Sequence, residues 1–347
     1  MCLVVSCPEI LIPFFIISFV FLSNTFYNVS QTGTDSQRNN SASQRIICES
    51  QRIIYENYNS QINDIFISRD GSQWKQCIPV NTVGRFSCQN ILKKTSGATS
   101  YAKRNINSES VLSARLLLVD KTILNHITEF TETEARRVLE SDDWSLSREE
   151  LIAYISILYA RGISAVRNLE LHSLWSSSWG LNFCKETMPR DRFCEISRYL
   201  RFDLKLTRRD RLKQDKFAMI SEVWNRFIEN CVTCYKPGQN ITIDEQLFPS
   251  KTRCPFTQFI TLKPDKYGQK FWLAADVETK YVLNAFPYLG KNEERDKNQR
   301  LSEYVVLKLI ESFQNVGRNV TVDNFFTSLE LAKKLKEKRT SLVGTMN

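Results

Sequence analysis

The amino-acid sequence predicts a protein of mixed α and β structure, in which an all-helical unit is followed by a mixed β-sheet. Three observations lead to this prediction. Apolar residues recur at helical spacing between residues 111 and 238, and they alternate with polar residues from residue 239 onwards. The tripeptide KPG at Lys236–Gly238 breaks the helical pattern where the period changes. Two later helical patterns interrupt the strands, which gives the order β-β-β-α-β-α-β and an α+β or α/β class.

The clearest helical pattern is SREELIAYISILYARG, which begins at Ser147. Ser147 and Glu150 have the spacing of a capping box, in which each side chain accepts a hydrogen bond from the other residue's backbone N–H. Apolar residues three and four apart then form one face of the helix. Further patterns of this kind are MPRDRFCEISRYLRFD and KFAMISEVWNRFIENCVTCY, so residues 111–238 are predicted to be helical.

The predicted strands are joined by two kinds of connection. Three consecutive strands joined by short turns favour an antiparallel meander, whereas a strand that follows a helix favours a crossover to a parallel neighbour. This layout is that of a partial ribonuclease-H-like mixed sheet. The predicted strands, in chain order, are ITIDEQLF, GQKFWLAADV, YVLNAFPYL, RNVTVDNFF and TSLVGTM, and the helices among them are LSEYVVLKLIESF and SLELAKKLKEK.

Residues 1–110 show little periodicity. Residues 1–23 include ILIPFFIISFVFL, which is short for a membrane span of about 20 residues and has no Lys or Arg before it. We interpret this run as unrelated to the domain behind it, with a secretion signal or a membrane anchor as the alternative. Residues 24–110 are predicted to be mostly disordered and polar. Asn240 and Asn319 begin glycosylation sequons inside predicted central strands, where no glycan could be carried, and this favours an intracellular protein.

The charge balance favours a polyanionic partner. The chain has 47 basic and 38 acidic residues, a net charge of +9, which suits nucleic acid or an anionic membrane surface. The densest basic stretch, residues 185–216, is predicted to track a DNA backbone, and a solvated face with mixed ion pairs is the alternative. The candidate DNA-binding residues are Arg190, Arg192, Arg198, Arg201, Lys205, Arg208, Arg209, Arg211 and Lys213.

The ten cysteines show no disulfide framework. Cys231 and Cys234 form a single CxxC, and a zinc site would need a second pair of ligands from a chain with only two histidines. We therefore interpret the pair as two thiols at a helix end rather than as a metal or redox site.

Two strand patterns, NITIDE and NVTVDN, end in a carboxylate at the same phase. If these strands are parallel neighbours, Asp244 and Asp323 leave the same face of the sheet at corresponding strand ends. Two adjacent carboxylates repel each other unless a cation bridges them, and Mg²⁺ suits one or two carboxylates plus substrate phosphates. The alternative for each aspartate is a turn former or a helix cap. Thr327 and Glu330 have capping-box spacing, which predicts that Asp323 is not needed as the cap.

The sequence resembles the piggyBac family of DNA transposases. The resemblance implies a ribonuclease-H-like catalytic domain at residues 239–347, in which three aspartates hold Mg²⁺, and a dimerisation and DNA-binding domain at residues 111–238. Such enzymes nick the 3′ ends of their element, close hairpins on it and join it to TTAA targets. Asp244 matches the first family aspartate and Asp323 the second. The resemblance rests on ITIDEQLFPSKTRCPFTQFITLKPDKYGQKFWLAADVETKYVLNAFPYLGK, LSEYVVLKLIESF and GRNVTVDNFFTSLELAKKLKEKRTSLVGTMN, with WSLSREELIAYISILYARG and MPRDRFCEISRYLRFD upstream.

The third family aspartate and the family's cysteine-rich zinc module have no match before Asn347, so the catalytic domain is expected to be truncated. We expect a nuclear, DNA-binding, homodimeric protein, with no small-molecule substrate or membrane partner and with strand transfer lost or strongly reduced. The alternatives are a fragment of an intact active transposase and a non-catalytic interaction protein. Glu303 and Asp276 are considered as a substitute third acid, although an exposed surface charge explains each equally well.

Overall fold

In a computed structural model of the chain, the described residues are 65–67, 71, 73–75, 92, 95–164, 166, 169–250, 254–261, 263, 266–290 and 295–345. The hydrophobic segment 1–23 and most of the polar region 24–110 lie outside them. The chain divides into two compact units, and residues 27–88 form one of them. Its described part is a hairpin in which β1 (Ile65–Ile67) pairs antiparallel with β2 (Gln73–Lys75).

The other unit begins with a short strand and a series of helices. β3 (Gly97–Ala98) lies before the segment 111–238 that was predicted to be helical, and it pairs antiparallel with β4 (Tyr235–Lys236) near the end of that segment. The predicted capping box at Ser147 and Glu150 is confirmed. The helices are α1 (Ser100–Asn105), α2 (Val111–Leu118), α3 (Lys121–Leu139), α4 (Arg148–Ile163), α5 (Leu171–Leu174), α6 (Asn182–Thr187), α7 (Arg190–Tyr199), α8 (Arg208–Arg211) and α9 (Ser221–Cys234).

α1 lies in the region that was predicted to be mostly disordered. Its backbone is fixed locally, because the Thr99 side chain accepts a hydrogen bond from the Ala102 N–H at the first turn. The Thr99 hydroxyl also donates to the Thr233 carbonyl of α9, 134 residues away. A contact over that distance leaves no periodic signal in the sequence.

A six-stranded mixed sheet follows the helices, as predicted. Its order is β10-β9-β5-β7-β6, and β8 also pairs with β7. β5 is parallel to β9 and antiparallel to β7, and β10 is parallel to β9. The elements are β5 (Asn240–Pro249), β6 (Thr257–Phe259), β7 (Tyr267–Asp276), β8 (Val282–Pro287), α10 (Leu301–Leu309), a 3₁₀ turn (Glu311–Phe313), β9 (Arg318–Val322), α11 (Leu329–Glu337) and β10 (Thr340–Val343). β6 was not predicted, since three residues are too few to show alternation.

Helices and sheet share one core. The rings of Trp224 in α9 and Phe271 in β7 lie 4.7 Å apart, and the Trp224 indole N–H donates to the Ala285 carbonyl of β8. The Tyr281 hydroxyl donates to the Cys231 carbonyl at 3.0 Å. These contacts, at both ends of α9, place the helix against the strands of the sheet, so residues 111–238 and 239–347 pack as parts of one compact unit.

The CxxC pair lies in the last turn of α9, as predicted. Cys231 and Cys234 are buried free thiols. Burial raises the pKa of Cys234 to about 11 and raises that of Cys231 further above its ordinary value. Both groups are therefore uncharged thiols at neutral pH, which makes them poor nucleophiles and poor metal ligands.

Candidate functional site

The register between β5 and β9 brings the two predicted aspartates together. Ile243 of β5 pairs with Val322, the last residue of β9. Asp244 is the next residue of β5, and Asp323 directly follows the end of β9. One carboxylate oxygen from each of Asp244, Glu245 and Asp323 lies within 4.8 Å of the others. We call these three residues the acidic cluster. Asp244 and Asp323 are exposed, and Glu245 is half-buried.

Glu245 was not a sequence-predicted site residue. Side chains alternate along a strand, and this rule places Glu245 on the face opposite to Asp244. However, β9 ends at Val322, so the edge of β5 beside Glu245 has no strand neighbour in β9. The Glu245 backbone N–H donates to Asp244 Oδ1 at 2.7 Å, which orients the Asp244 carboxylate towards the backbone of Glu245.

Asp323 also shapes the turn that follows β9. Its carbonyl accepts hydrogen bonds from the Thr327 N–H at 3.2 Å and from the Thr327 hydroxyl at 2.8 Å, and its Oδ1 accepts from the Phe326 N–H at 3.4 Å. The predicted capping box of Thr327 and Glu330 is wrong. The N-cap of α11 is Ser328, whose side chain accepts from the Leu331 N–H, because the Thr327 hydroxyl is occupied by the turn.

The acidic cluster has the chemistry of a site for a hard divalent cation. Its donors are carboxylate oxygens, which are the ligands that Mg²⁺ and Ca²⁺ prefer. Among the described residues, no Lys, Arg or His lies within ion-pair distance of Asp244, Glu245 or Asp323. Three negative charges this close together repel one another, and a bound cation would remove that repulsion.

One cation nevertheless faces the acidic cluster from β7. The half-buried Lys270 ammonium lies 3.9 Å from the centroid of the Trp272 ring. Burial and the charge of Lys263 lower the pKa of Lys270, and the charges of Glu245, Asp244 and Asp323 partly oppose this lowering. The sequence analysis did not find Lys270, because only the antiparallel pairing of β5 with β7 brings it near the cluster.

The two acids considered as substitutes are not in the acidic cluster, and neither is an exposed surface charge. Glu303 is buried at the start of α10 and forms an ion pair with Lys334 at 2.6 Å. Asp276 is buried at the far end of β7, where it accepts hydrogen bonds from the Gly238 N–H and from the N–H and hydroxyl of Thr279. Both carboxylates therefore hold the fold together.

Most of the candidate DNA-binding cations form ion pairs within the protein. The Glu134 carboxylate is buried between Arg137, Arg201 and Lys205. Burial alone would raise its pKa, but hydrogen bonds from these three cations and the charge of Arg201 lower the pKa of Glu134 to about 2. In all, seven of the nine candidates have a carboxylate partner: Arg190 with Asp191, Arg192 with Glu150 and Glu195, Arg201 and Lys205 with Glu134, Arg208 and Arg211 with Asp203, and Lys213 with Asp210.

Arg198 and Arg209 are the two candidates without an ion-pair partner in the described part of the chain. Both are exposed. The Arg198 guanidinium lies 5.5 Å from the centroid of the Tyr199 ring. Arg209 lines an open depression of about 440 Å³, whose lining residues are Lys205, Arg208, Arg209, Leu212 and Lys213. The basic stretch therefore combines internal ion pairs with one outward-facing basic depression.

Comparison with known proteins shows to which family of proteins the chain belongs. Residues 115–347 match the family described as Transposase IS4, which covers more than half of the chain, and the chain therefore belongs to this family of transposases. Its relatives identify the piggyBac branch. The chain is 30% identical over 140 residues to the human PiggyBac transposable element-derived protein 3 and to the human chimeric ERCC6-PGBD3 protein.

A solved structure agrees with this assignment. A cryo-EM structure of a piggyBac transposase synaptic complex with hairpin DNA matches 73% of the chain with a TM-score of 0.65 and 32% identity. The chain covers 54% of that transposase chain, and it covers 23% and 13% of the lengths of the two human relatives. No helix of the described residues combines the length and the apolar composition that a membrane crossing requires.

Proposed function

We propose that the chain is a DNA-binding protein whose acidic cluster holds Mg²⁺ next to a DNA phosphodiester. Cutting and joining of DNA ends is the activity that the resemblance to the piggyBac family implies. In this proposal Asp244 and Asp323 are the metal ligands, and Glu245 supplies a third oxygen. The mixed sheet is a partial ribonuclease-H-like domain, and the helices before it contribute DNA contact and a homodimer interface in the nucleus.

The observation that carries the proposal is the parallel pairing of β5 with β9. It brings two carboxylates from positions 79 residues apart into one cluster, without a cation in direct contact among the described residues. Mg²⁺ binds in proteins through one or two carboxylates, with water and substrate phosphates completing its coordination. When bound, such an ion stabilises the charge that develops on a phosphodiester during displacement.

For the 347 residues by themselves, we propose that cleavage and strand transfer are lost or strongly reduced. In this proposal Asp244 and Asp323 correspond to two of the three family aspartates, and the third acid of the cluster, Glu245, comes from the same strand as Asp244. Two metal ions about 4 Å apart need ligands that surround them, and neighbouring residues of one strand supply them from one side.

A cation titration tests the metal site. We expect Mg²⁺ to bind the 347-residue chain in calorimetry, with affinity at least about tenfold weaker in Asp323→Asn and in Asp244→Asn, since a nearby unit charge contributes more than about 1.4 kcal/mol. Glu311→Gln is the matched control, because Glu311 is an exposed carboxylate outside the cluster. Equal affinities in all four proteins would contradict the site.

A binding and cleavage assay tests the proposed DNA binding and the proposed loss of cleavage. We expect a hairpin-ended DNA duplex to bind with steep salt dependence, because phosphate contacts release counterions. With Mg²⁺ added, we expect little cleavage. Efficient cleavage that disappears in Asp323→Asn would overturn the proposed inactivity and favour the alternative of an active transposase fragment.

A second candidate is a non-catalytic protein that uses its helices as an interaction surface. The internal pairing of seven of the nine candidate cations favours it, since a paired arginine must give up its partner or share it to bind phosphate. Weak DNA binding with a shallow salt dependence, together with a stable dimer in sedimentation, would support this candidate over the first.

A further inference from the structure

Lys270 lies on β7, the strand that pairs with β5, which carries two residues of the acidic cluster. In the antiparallel register Lys270 pairs with Leu247, and Trp272 pairs with Glu245. Paired residues leave the same face of a sheet, so Lys270, Trp272 and Glu245 belong to one face. Lys270 is therefore on the strand next to the one that carries Glu245 and on the same face as Glu245, while Asp323 follows β9 on the other side of β5.

Aromatic rings hold the Lys270 ammonium in place. Its Nζ lies 3.9 Å from the centroid of the Trp272 ring and 5.8 Å from that of Phe325. These two rings are stacked on each other, with centroids 5.9 Å apart and an angle of 7° between their planes. Phe325 belongs to the turn that begins at Asp323, so one aromatic platform connects the lysine to the strand end that carries an acidic residue.

The ammonium faces the cluster without touching it. In the part of the chain that the structure describes, no carboxylate lies within ion-pair distance of Lys270, although the charges of Glu245, Asp244 and Asp323 act on it. A partly buried lysine without a direct carboxylate partner loses hydration, and cation–π contacts offset only part of this cost. Its donors remain available to an anion that enters beside the cluster.

The net charge of the acidic cluster together with Lys270 favours a phosphodiester as that anion. The three carboxylates and the Lys270 ammonium have a net charge of −2, which one bound dication balances, and Lys263, whose charge also acts on Lys270, adds positive charge nearby. Without Lys270, the same site with one dication would be more negative by one charge and would attract a phosphodiester less. With the lysine, a site that holds a single cation accepts a phosphodiester, and the ammonium can bind a non-bridging oxygen.

We propose that Lys270, which lies beside the acidic cluster, is the residue that binds phosphate there. It binds the DNA phosphodiester once a divalent cation is present, and it weakens cation binding when DNA is absent. This inference rests on the proposed function, because it requires that the cluster binds a cation and DNA.

The test uses opposite effects on two ligands. In Lys270→Gln we expect Mg²⁺ to bind about threefold or more tightly, because a like charge near the cation is removed. We expect the affinity for a fluorescent hairpin-ended DNA, measured with Mg²⁺ present, to fall about fivefold or more, because a charge-assisted hydrogen bond is lost. Lys270→Arg should restore most of the DNA affinity.

The outcomes separate the inference from the proposed function. Loss of both affinities together in Lys270→Gln would assign Lys270 a structural role, and no change in either would also overturn the inference. If the unmodified chain binds no Mg²⁺, or binds it with equal affinity in Asp323→Asn, the proposed function fails and this inference fails with it. Thermal unfolding of each variant shows whether the fold is kept.

Discussion

Carboxylates are arranged in opposite ways in two regions of the protein. Around α7 and α8, the buried carboxylates Glu134 and Asp203 are surrounded by arginine and lysine at hydrogen-bond distance. At the end of β5 and β9, Asp244 and Asp323 are exposed, close together and without a cation in direct contact in the described residues. Paired buried charges resist removal of either partner, whereas repelling exposed charges favour a ligand from outside. The first arrangement stabilises the fold, and the second is suited to binding.

The largest expected effect is at Asp203, which forms ion pairs with both Arg208 and Arg211. Asp203→Ala should lower the free energy of unfolding by about 3 kcal/mol, because it removes a buried carboxylate that forms ion pairs with two partly buried guanidinium groups. Urea unfolding measures this loss. The control is Asp210→Ala, since the exposed Asp210 pairs with the exposed Lys213, and it should give no measurable change. Equal losses in the two variants would remove the contrast between buried and exposed pairs.

The next effect concerns pH and Glu134. The pKa of Glu134 is lowered from 4.5 to about 2 in the folded protein, so its contribution is fully present above about pH 4.5 and is lost as pH falls towards 2. Glu134→Gln should lower the free energy of unfolding at pH 7 by about 2–3 kcal/mol and should flatten its decline between pH 5 and pH 3. Urea unfolding at several pH values measures both. An unchanged decline would assign the acid sensitivity to other carboxylates.

A smaller effect is expected for DNA binding. Arg209 is exposed and has no ion-pair partner in the described residues, so Arg209→Gln should weaken binding of duplex DNA by about threefold and reduce the slope of log affinity against log salt by about one. Fluorescence polarisation at several salt concentrations measures the slope.

Arg190→Gln is the matched control for this measurement, because Arg190 is also exposed but donates hydrogen bonds to Asp191. We expect a smaller change in slope for it. A larger change for Arg190 than for Arg209 would show that ion pairing within the protein does not decide which cations meet the phosphates.

The smallest expected effect is at Asp323, where the change in the free energy of unfolding has the opposite sign to that expected at Asp203. Asp323→Asn should leave the free energy of unfolding unchanged or raise it by about 0.5 kcal/mol without divalent cations, because it relieves repulsion from Asp244 and Glu245. Asparagine keeps the oxygen that accepts from the Phe326 N–H. Urea unfolding in the presence of a chelator measures the change. Clear destabilisation would show that Asp323 is needed mainly for the turn.

Local patterns in the sequence determined the main elements of the fold. The change from helical to strand period at Gly238 predicted the helices and the later sheet, and the matching phase of Asp244 and Asp323 predicted their meeting. The sequence also contains the segments that resemble the piggyBac family. These features could be read because helix and strand periods depend on neighbouring residues, and because the phase of a strand fixes the face of each side chain.

Only the tertiary structure decided which charges meet. Glu245 joins the cluster because β9 ends at Val322, and Lys270 faces it through the pairing of β5 with β7. Glu134 meets Arg201 across 67 residues, which gives part of the predicted DNA-binding stretch a structural role. Contacts over such separations depend on strand register and helix packing, and neither produces a periodic signal in the sequence.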